Sequence, residues 1–429
     1  MQNQESLNRS ILRLALPAIA ANITTPVLGL VDVAITGHFG AAAFIGAIAV
    51  GSTVFNLLYW LFGFLRMGTA GLTAQAYGAA DRSAQGATLW RSLLIALAAG
   101  AFIVAVSHPV CSAILDFMDC DADTRVPAMR YVTILVWGAP AVLGLYTLNG
   151  WWLGMQDTRI PLYISIGINV ANIALSVGLV YGAGWRIEGV ATGTLAAQWL
   201  GFAAGLLVTR RHFRPLRPTL REMIRRRDLR RLFGINADIF LRTLCLVAVT
   251  VWFTRAGSTQ GVTVLAANAL LMQFFMFFSY FTDGFAFAGE ALAGRFHGAA
   301  DARGLRRVVR ALLRWGAVIA LGFTIVYFLG GETILALLTD QESVRKLASE
   351  YLPWAVGVPL CGTVAFIYDG IFVGLTRTRR MLAAMFAATA VYFGAYALLY
   401  PLLGNHGLWL AFILYLAVRS AAMHLARPR

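Results

Sequence analysis

Long apolar stretches, each close to the length of a membrane-spanning helix, recur along the whole chain. A helix needs roughly 20 mainly apolar residues to cross a bilayer. Charged residues gather between these stretches and are scarce within them. The pattern predicts twelve spans, numbered 1 to 12 in chain order, at residues 11–37, 41–66, 89–113, 128–150, 161–182, 187–209, 231–256, 262–287, 309–330, 351–374, 381–402 and 406–425.

The composition agrees with an all-α polytopic membrane protein. Of 429 residues, 59% are hydrophobic and only 13% are charged, whereas soluble domains carry about 25% charged residues. The net charge of +15 alone would suggest nucleic-acid binding. Arginines, however, follow spans 2, 4, 6, 8 and 10 and end the chain, while the alternate loops are acidic or neutral. This positive-inside pattern predicts cytoplasmic termini, contact with anionic lipid and no nucleic-acid partner.

An internal repeat with an offset of 220 residues divides the chain. "GAADR" at 78–82 returns as "GAADAR" at 298–303, and the same offset pairs Gly150 with Gly370 and Gly154 with Gly374. Each half holds six spans, so both halves enter the membrane from the same side and form parallel repeats. We therefore expect one lobe over residues 1–209, a basic linker over 210–230 and a second lobe over 231–429.

Span 1 contains an acid, Asp32, in the stretch "GLVDVAITGHFG". An ionisable residue inside a membrane is costly and commonly functional, so Asp32 is either a titrating group or a structural one satisfied by its neighbours. Span 5 carries polar residues on one helical face, and span 6 adds another. They are Asn169, Asn172, Ser176 and Thr194. Together with Asp32 they could form a polar pocket, although such residues also serve as interhelical hydrogen-bond partners.

The second half contains more charge within its spans. Asp238 and Arg242 are four residues apart, which allows them to pair on one helix face. Asp369 lies deep in span 10, at the position that the repeat aligns with Asn149. Further polar candidates in span 8 are Asn268, Gln273 and Asp283. Each of these residues could couple ions or could be structural.

The chain carries no phosphate-binding loop, no dinucleotide-binding glycine pattern and no HExxH motif, and its cysteines lack metal-site spacing. We find no catalytic constellation. We therefore expect neither an enzyme nor a bound cofactor or metal, and energy must come from an ion gradient.

Four segments carry a family resemblance: "LALPAIAANITTPVLGLVDVAITGHFG", "NADIFLRTLCL", "FAFAGEALAG" and "YDGIFVGLTRT". They resemble the DinF branch of the multidrug and toxic compound extrusion (MATE) family over about residues 10–425. The resemblance implies two six-helix lobes in a V-shaped transporter, located in the bacterial inner membrane. It also implies proton- or sodium-coupled export of organic cations and amphipathic drugs by alternating access.

The resemblance also assigns roles to residues. Asp32 matches the acid implicated in cation coupling, and Pro17, together with Pro26, marks where span 1 bends. Asn172 and Thr194 match polar partners of that acid, and Asp369 matches an acid used for coupling in other branches. One departure is Ser176, where many relatives carry a second acid. A sodium site needs several hard oxygen ligands with negative charge among them, and the missing acid weakens such a site. We therefore favour protons and keep sodium as the alternative.

Substrate-cavity candidates come from both halves: Tyr146, Asn149, Phe274, Met276 and Tyr368. Adaptable methionine and aromatic surfaces suit varied apolar cations. A lipid or polysaccharide flippase is a rival, but it should line its cavity with basic residues, and here these lie in loops apart from Arg242 and Arg66. A membrane enzyme, a channel or a receptor fits the two-fold repeat less well. We expect a monomer.

Overall fold

The computed structural model describes residues 2–37, 42–117, 122–216, 218–223 and 225–427, with side chains except those of residues 2–5, 25–45, 113–123, 220 and 221. Fifteen α-helices and no strand occur in these ranges. They are α1 (Gln2–Gly37), α2 (Ala42–Leu61), α3 (Phe64–Gly78), α4 (Arg82–Phe117), α5 (Ala122–Leu135), α6 (Ala139–Gly154), α7 (Arg159–Val177), α8 (Ile187–Val208), α9 (Leu220–Met223), α10 (Arg226–Ser258), α11 (Val262–Gly298), α12 (Ala302–Leu338), α13 (Glu342–Gly374), α14 (Thr378–Leu403) and α15 (Asn405–Leu425).

Eleven helical segments in the described part of the chain are long and apolar enough to cross a membrane. They correspond to spans 2 to 12, while span 1 lies in α1 and falls partly outside the described side chains. The fold is thus that of an all-α polytopic membrane protein. Span 2 is divided between α2 and α3, and span 4 consists of α5, a 3-10 turn at Val136–Gly138 and α6.

Most helices extend beyond the apolar runs that predicted them. Span 9 was expected at 309–330, whereas α12 covers Ala302–Leu338. Its first turns contain Arg303, Arg306 and Arg307. An arginine-rich turn can continue a helix into water, although the apolar run from which the span was predicted stops there. Asp301 caps this helix by accepting from the N–H of Gly304 at 2.7 Å, which favours its early start.

The chain divides into two compact units. Unit 1 comprises Met1–Ile19 and Phe233–Arg429, and unit 2 comprises Ala20–Leu232. The first part of α1 therefore belongs with the helices of the second half, whereas we expected all of span 1 in the first lobe. Within unit 1, Trp315 donates its indole N–H to Asn8 at 3.3 Å. Gly284 of α11 packs so closely on α1 that a Cβ there would lie 2.4 Å from Cγ1 of Ile19.

The two units repeat the same close helix approach. A Cβ on Gly150 of α6 would lie 2.1 Å from the carbonyl oxygen of Arg66 on α3. A Cβ on Gly370 of α13 would lie 1.9 Å from the carbonyl oxygen of Ala286 on α11. Both residues of the second contact follow those of the first by 220 positions. Glycine is needed at both places because the neighbouring backbone occupies the space of a side chain.

The turns after α3 and α11 repeat in the same way. Ala80 and Ala300 both adopt a left-handed conformation, each with φ of 55°. Asp81 then accepts from the N–H of Ala84 at 2.9 Å, as Asp301 does from Gly304. The offset seen in the sequence therefore describes equivalent backbone geometry in the two units.

The basic linker belongs to unit 2 and contacts α4. Arg91 of α4 donates to the carbonyl oxygens of Met223 at 3.0 Å and Glu222 at 2.7 Å, and forms a salt bridge of 3.2 Å with Asp228. Hydrogen bonds from the backbone N–H and the hydroxyl of Thr219 hold the pKa of the Glu222 carboxyl below its ordinary value. These contacts fix the linker through backbone carbonyls, which suits a segment whose own side chains are mostly cationic.

Candidate functional site

The predicted polar residues of spans 5 and 6 meet in the interior of unit 2. Asn172 donates from its side-chain nitrogen to the hydroxyl of Thr194 at 2.8 Å, and Ser176 donates to the side-chain oxygen Oδ1 of Asn172 at 3.3 Å. All three side chains are buried. Gly193 of α8 permits the contact, since a Cβ there would lie 2.4 Å from the Ser176 hydroxyl. We call Asn172, Ser176 and Thr194 the neutral cluster.

Helix α1 packs along the same face of α7. The Thr24 hydroxyl lies 3.4 Å from that of Ser165, and Asn169 donates to the Thr24 carbonyl oxygen at 3.3 Å. Residues 165, 169, 172 and 176 share one side of α7 because they are three or four positions apart. Four of the predicted residues are thus on two adjoining helices, and a third helix contacts their face.

Three predicted residues belong to α1 itself. Pro17 is half-buried and lies two residues before the point where α1 passes from unit 1 to unit 2. A proline inside a helix removes one backbone hydrogen bond and favours a kink. The side chains of Asp32 and Pro26 fall outside the described residues, and their assigned roles remain predictions.

Unit 1 contains a buried cluster of full charges. Asp369 of α13 forms salt bridges with Arg242 of α10 and with Arg419 of α15, and both guanidinium groups donate to the same oxygen, Oδ2. Arg419 is 2% exposed and Asp369 is 5% exposed. We call Asp369, Arg242 and Arg419 the ion triad.

Several polar atoms of the ion triad have no hydrogen-bond partner among the residues that the structure describes. They are Oδ1 of Asp369 and Nε of both Arg242 and Arg419. Asp283 and Tyr415 interact electrostatically with Arg419, whose guanidinium also lies 5.7 Å from the centre of the Phe366 ring. The triad is therefore rich in donors, and its surroundings are partly aromatic.

The expected pairing of Asp238 with Arg242 is not the one found. Asp238 accepts from the hydroxyl of Thr378 at 2.6 Å, and Arg242 pairs with Asp369. Spacing along one helix allows a contact but does not compete with a buried acid on a neighbouring helix. The buried carboxylate of Asp369 needs a counter-charge, which the guanidinium of Arg242 supplies, whereas Asp238 has the hydroxyl of Thr378 as its partner.

Other candidates of span 8 have separate environments. Asn268 and Asn405 exchange two side-chain hydrogen bonds of 2.8 and 2.9 Å, and Trp409 donates to Asn268 at 2.9 Å. This arrangement joins α11 to α15 and satisfies the buried amides. Gln273 is exposed. Asp283 is half-buried and accepts from the Ser279 hydroxyl at 3.4 Å.

The five cavity candidates are divided between the two units. Phe274 is 2% exposed and contacts the Tyr327 ring at 4.8 Å, and Tyr368 is fully buried. Both are core residues in this structure. Met276 is 41% exposed. In unit 2, Tyr146 and Asn149 are half-buried on α6.

Arg419 was missed in the sequence, although it is the sole charge within span 12. An arginine inside an otherwise apolar span is itself a signal that a buried partner exists. Its partner could not be read from local spacing, because Asp369 lies 50 residues away along the chain. The structure brings α10, α13 and α15 together and thereby identifies the triad.

Two similar halves of apolar helices, each with a buried polar centre, define a membrane transporter of the two-lobed kind. The chain belongs to the MatE family, whose sequence pattern matches residues 17–177 and 237–394. The two matched segments begin at an offset of 220 residues, as the internal repeat does. Both the family and its DinF branch were predicted from the sequence and are confirmed.

Similar proteins span nearly the whole chain. DNA damage-inducible protein F of Escherichia coli (strain K12) is 40% identical over 421 residues, covering 97% of this chain and 91% of that protein. Multidrug resistance protein MdtK of Proteus mirabilis (strain HI4320) is 23% identical, covering 99% and 95%. The Vibrio cholerae MATE transporter VcmN, in its bent form, has a TM-score of 0.91 at 17% identity, covering 99% and 97%. The last comparison supports the fold.

Proposed function

We propose that this protein exports amphipathic organic compounds, mainly cations, in exchange for protons. The protonation switch is Asp32, and its polar partners are the residues of the neutral cluster. The observation that carries the proposal is the buried chain of hydrogen bonds from Ser176 through Asn172 to Thr194. It offers amide and hydroxyl groups, which can accept or donate toward a neighbouring carboxyl in either protonation state.

The register of α1 against α7 supports this partnership. Spans 1 and 5 cross the membrane in the same direction, since both are odd-numbered. Thr24 contacts Ser165 and Asn169, and Asp32 follows Thr24 by about 12 Å of helix. Ser176 follows Asn169 by about 10 Å. If the two helices continue side by side, Asp32 comes to about the level of Ser176.

Proton and cation binding oppose each other in the proposed cycle. Outside, Asp32 gains a proton, and α1 repacks against the neutral cluster and releases the substrate. Inside, the loss of that proton restores a negative charge that favours the next cation. The coupling is reciprocal, because a proton that weakens cation binding is itself bound less tightly when the cation is present.

The ion triad is a poor second coupling site. A proton on Asp369 would leave Arg242 and Arg419 without their shared counter-charge, and a buried charge that loses its partner is strongly destabilised. The acids of unit 1 are therefore structural or substrate-binding in this proposal, and Asp32 acts alone. Protons remain preferred over sodium because the neutral cluster supplies no second carboxylate.

The proposal is tested in inverted membrane vesicles, in which a drug added outside is pumped inward as protons leave. Wild-type protein should dissipate an imposed pH gradient when a cationic drug is added, and Asp32→Asn should not. Asp340→Asn is the matched control, because Asp340 is an exposed acid. Full drug-dependent proton movement by Asp32→Asn would contradict the proposal. Drug movement driven by a sodium gradient without a proton gradient would establish the sodium alternative.

Location and assembly complete the proposal. The protein lies in the bacterial inner membrane as a monomer with both termini in the cytoplasm, where the arginine-rich linker contacts anionic lipid heads. The distribution of arginine over alternate loops supports this orientation. Cysteine labelling of the linker and of the loop after span 9, from each side of the membrane, tests it.

A further inference from the structure

The ion triad contains two guanidinium groups for one carboxylate. Both donate to Oδ2 of Asp369, and the Nε–H groups of Arg242 and Arg419 have no acceptor in the described part of the chain. A guanidinium presents several N–H donors in a planar fork that matches a carboxylate or sulfonate. The triad thus retains donors in the geometry that recognises an anionic group.

The two arginines differ in accessibility. The Arg242 side chain is 12% exposed, whereas that of Arg419 is 2% exposed. Arg419 also interacts with Asp283 and faces the Phe366 ring, whereas Tyr415 interacts with both arginines. Arg242 is therefore the member that can change its partner, and Arg419 is the member that stays with Asp369.

This division allows an exchange in which no buried charge is left unpaired. If Arg242 turns to an incoming anion, Asp369 keeps Arg419 as its counter-ion. A pair consisting of one arginine and one aspartate could not do this, because removing either partner leaves the other as an unpaired buried charge. The second arginine makes partner exchange at Arg242 inexpensive.

We propose that Arg242 binds the carboxylate or sulfonate group of a transported amphipathic compound, with Asp369 held meanwhile by Arg419. The inference deepens the proposed export function and rests on it. Its substrates are compounds that carry an anionic group on an aromatic body, because the surroundings of the triad include the rings of Phe366 and Tyr415. Neighbouring charges on this side include Asp283, which interacts with Arg419.

The test uses equilibrium binding of a matched pair of probes to the purified full-length protein. One probe is a rhodamine dye with a free carboxylate, and the other is the methyl ester of the same dye. Fluorescence anisotropy gives the Kd of each for wild type, Arg242→Gln and Arg255→Gln. Arg255 is the control because it lies on the same helix, outside the triad, with its guanidinium 5.3 Å from the Trp252 ring centre.

Wild type should bind the acid more tightly than the ester, and Arg242→Gln should weaken the acid about ten-fold or more while leaving the ester unchanged, as loss of one charge-assisted hydrogen-bonded contact predicts. Arg255→Gln should change neither Kd. Equal binding of acid and ester by wild type would overturn the inference, and so would equal weakening of both by Arg242→Gln.

Arg242→Lys is the control for effects on folding, because lysine keeps the positive charge but lacks the planar arrangement of N–H donors. It should bind the acid with an affinity between those of wild type and Arg242→Gln, and retain the ester affinity of wild type. A Lys variant that binds the acid as weakly as the Gln variant while losing the ester would indicate a purely structural role. The assay applies no ion gradient, so it is independent of whether Asp32 couples export to protons.

Discussion

The two buried polar centres occupy similar halves of the molecule but differ in charge. The neutral cluster of unit 2 consists of amide and hydroxyl groups, whereas the ion triad of unit 1 contains three full charges. The repeat aligns Asn172 with Tyr392 and Ser176 with Tyr396, so the neutral cluster has no polar counterpart of the same kind. It also aligns Asp369 with Asn149, so the triad has no acid as its counterpart.

This difference shows how a duplicated helical frame can carry two chemistries. The close approaches at Gly150 and Gly370 are retained, because they depend on backbone contact. The polar side chains have diverged around them. A neutral cluster tolerates a neighbouring carboxyl that gains and loses a proton, while a triad of fixed charges holds helices together or binds an opposite charge.

The largest expected effect comes from removing the acid of the ion triad. Asp369→Asn leaves Arg242 and Arg419 buried without a counter-charge, and we expect unfolding to become easier by about 3–5 kcal/mol. Thermal unfolding in detergent measures this change. Asp340→Asn should alter stability by less than about 0.5 kcal/mol. A loss below about 1 kcal/mol for Asp369→Asn would show that the triad is not a buried charge centre.

The similarity of the two halves is tested by a pair of glycine substitutions. Gly150→Ala and Gly370→Ala each place a Cβ about 2 Å from a carbonyl oxygen, and each should destabilise the protein by about 1–3 kcal/mol. Gly167→Ala and Gly322→Ala are the controls, since a Cβ at either position meets no atom of the described residues within 4 Å. Clearly unequal losses for the first two variants would mean that the helix contacts are not equivalent.

Substitutions of two buried asparagines, Asn172 and Asn268, distinguish a loss of stability from a loss of proton coupling. Asn172→Ala and Asn268→Ala should each cost about 1 kcal/mol, as expected for polar contacts between membrane helices. Only Asn172→Ala should also reduce drug-dependent proton movement in vesicles, because it removes the proposed partner of Asp32. An equal loss of proton movement in both variants would contradict the assignment of coupling to unit 2.

The smallest effect concerns the repeated turns. Ala80 and Ala300 both have φ of 55°, a conformation that costs an L-residue roughly 1–2 kcal/mol and glycine little. Glycine also loses more backbone entropy on folding, by about 0.5–1 kcal/mol. Ala80→Gly and Ala300→Gly should therefore each raise stability by less than about 1 kcal/mol. Opposite signs in thermal unfolding would show that the two turns differ.

The sequence predicted the helices and the repeat well because both depend on regular spacing. Spans 2 to 12 all coincide with helical segments, and the face formed by Asn172 and Ser176 follows from helical periodicity. The division of span 2 between α2 and α3 was not predicted, since Phe62 and Gly63 interrupt the helix without interrupting the apolar run.

The ion triad could not be predicted from spacing. Its members lie on three helices, and Asp369 is 127 residues from Arg242 along the chain. Local periodicity instead favoured Asp238 as the partner of Arg242. Which buried charges meet is decided by how α10, α13 and α15 pack, and this information is not local.

Proton release on drug binding tests the division of roles most directly. Purified protein in weakly buffered detergent solution is mixed with the methyl-ester rhodamine, a cation without a carboxylate, and the pH change is recorded. We expect wild type and Arg242→Gln to release about one proton for each bound drug, and Asp32→Asn to release none, because one titrating acid competes with the cation. Undiminished release from Asp32→Asn, or its loss in Arg242→Gln at full drug occupancy, would contradict the account.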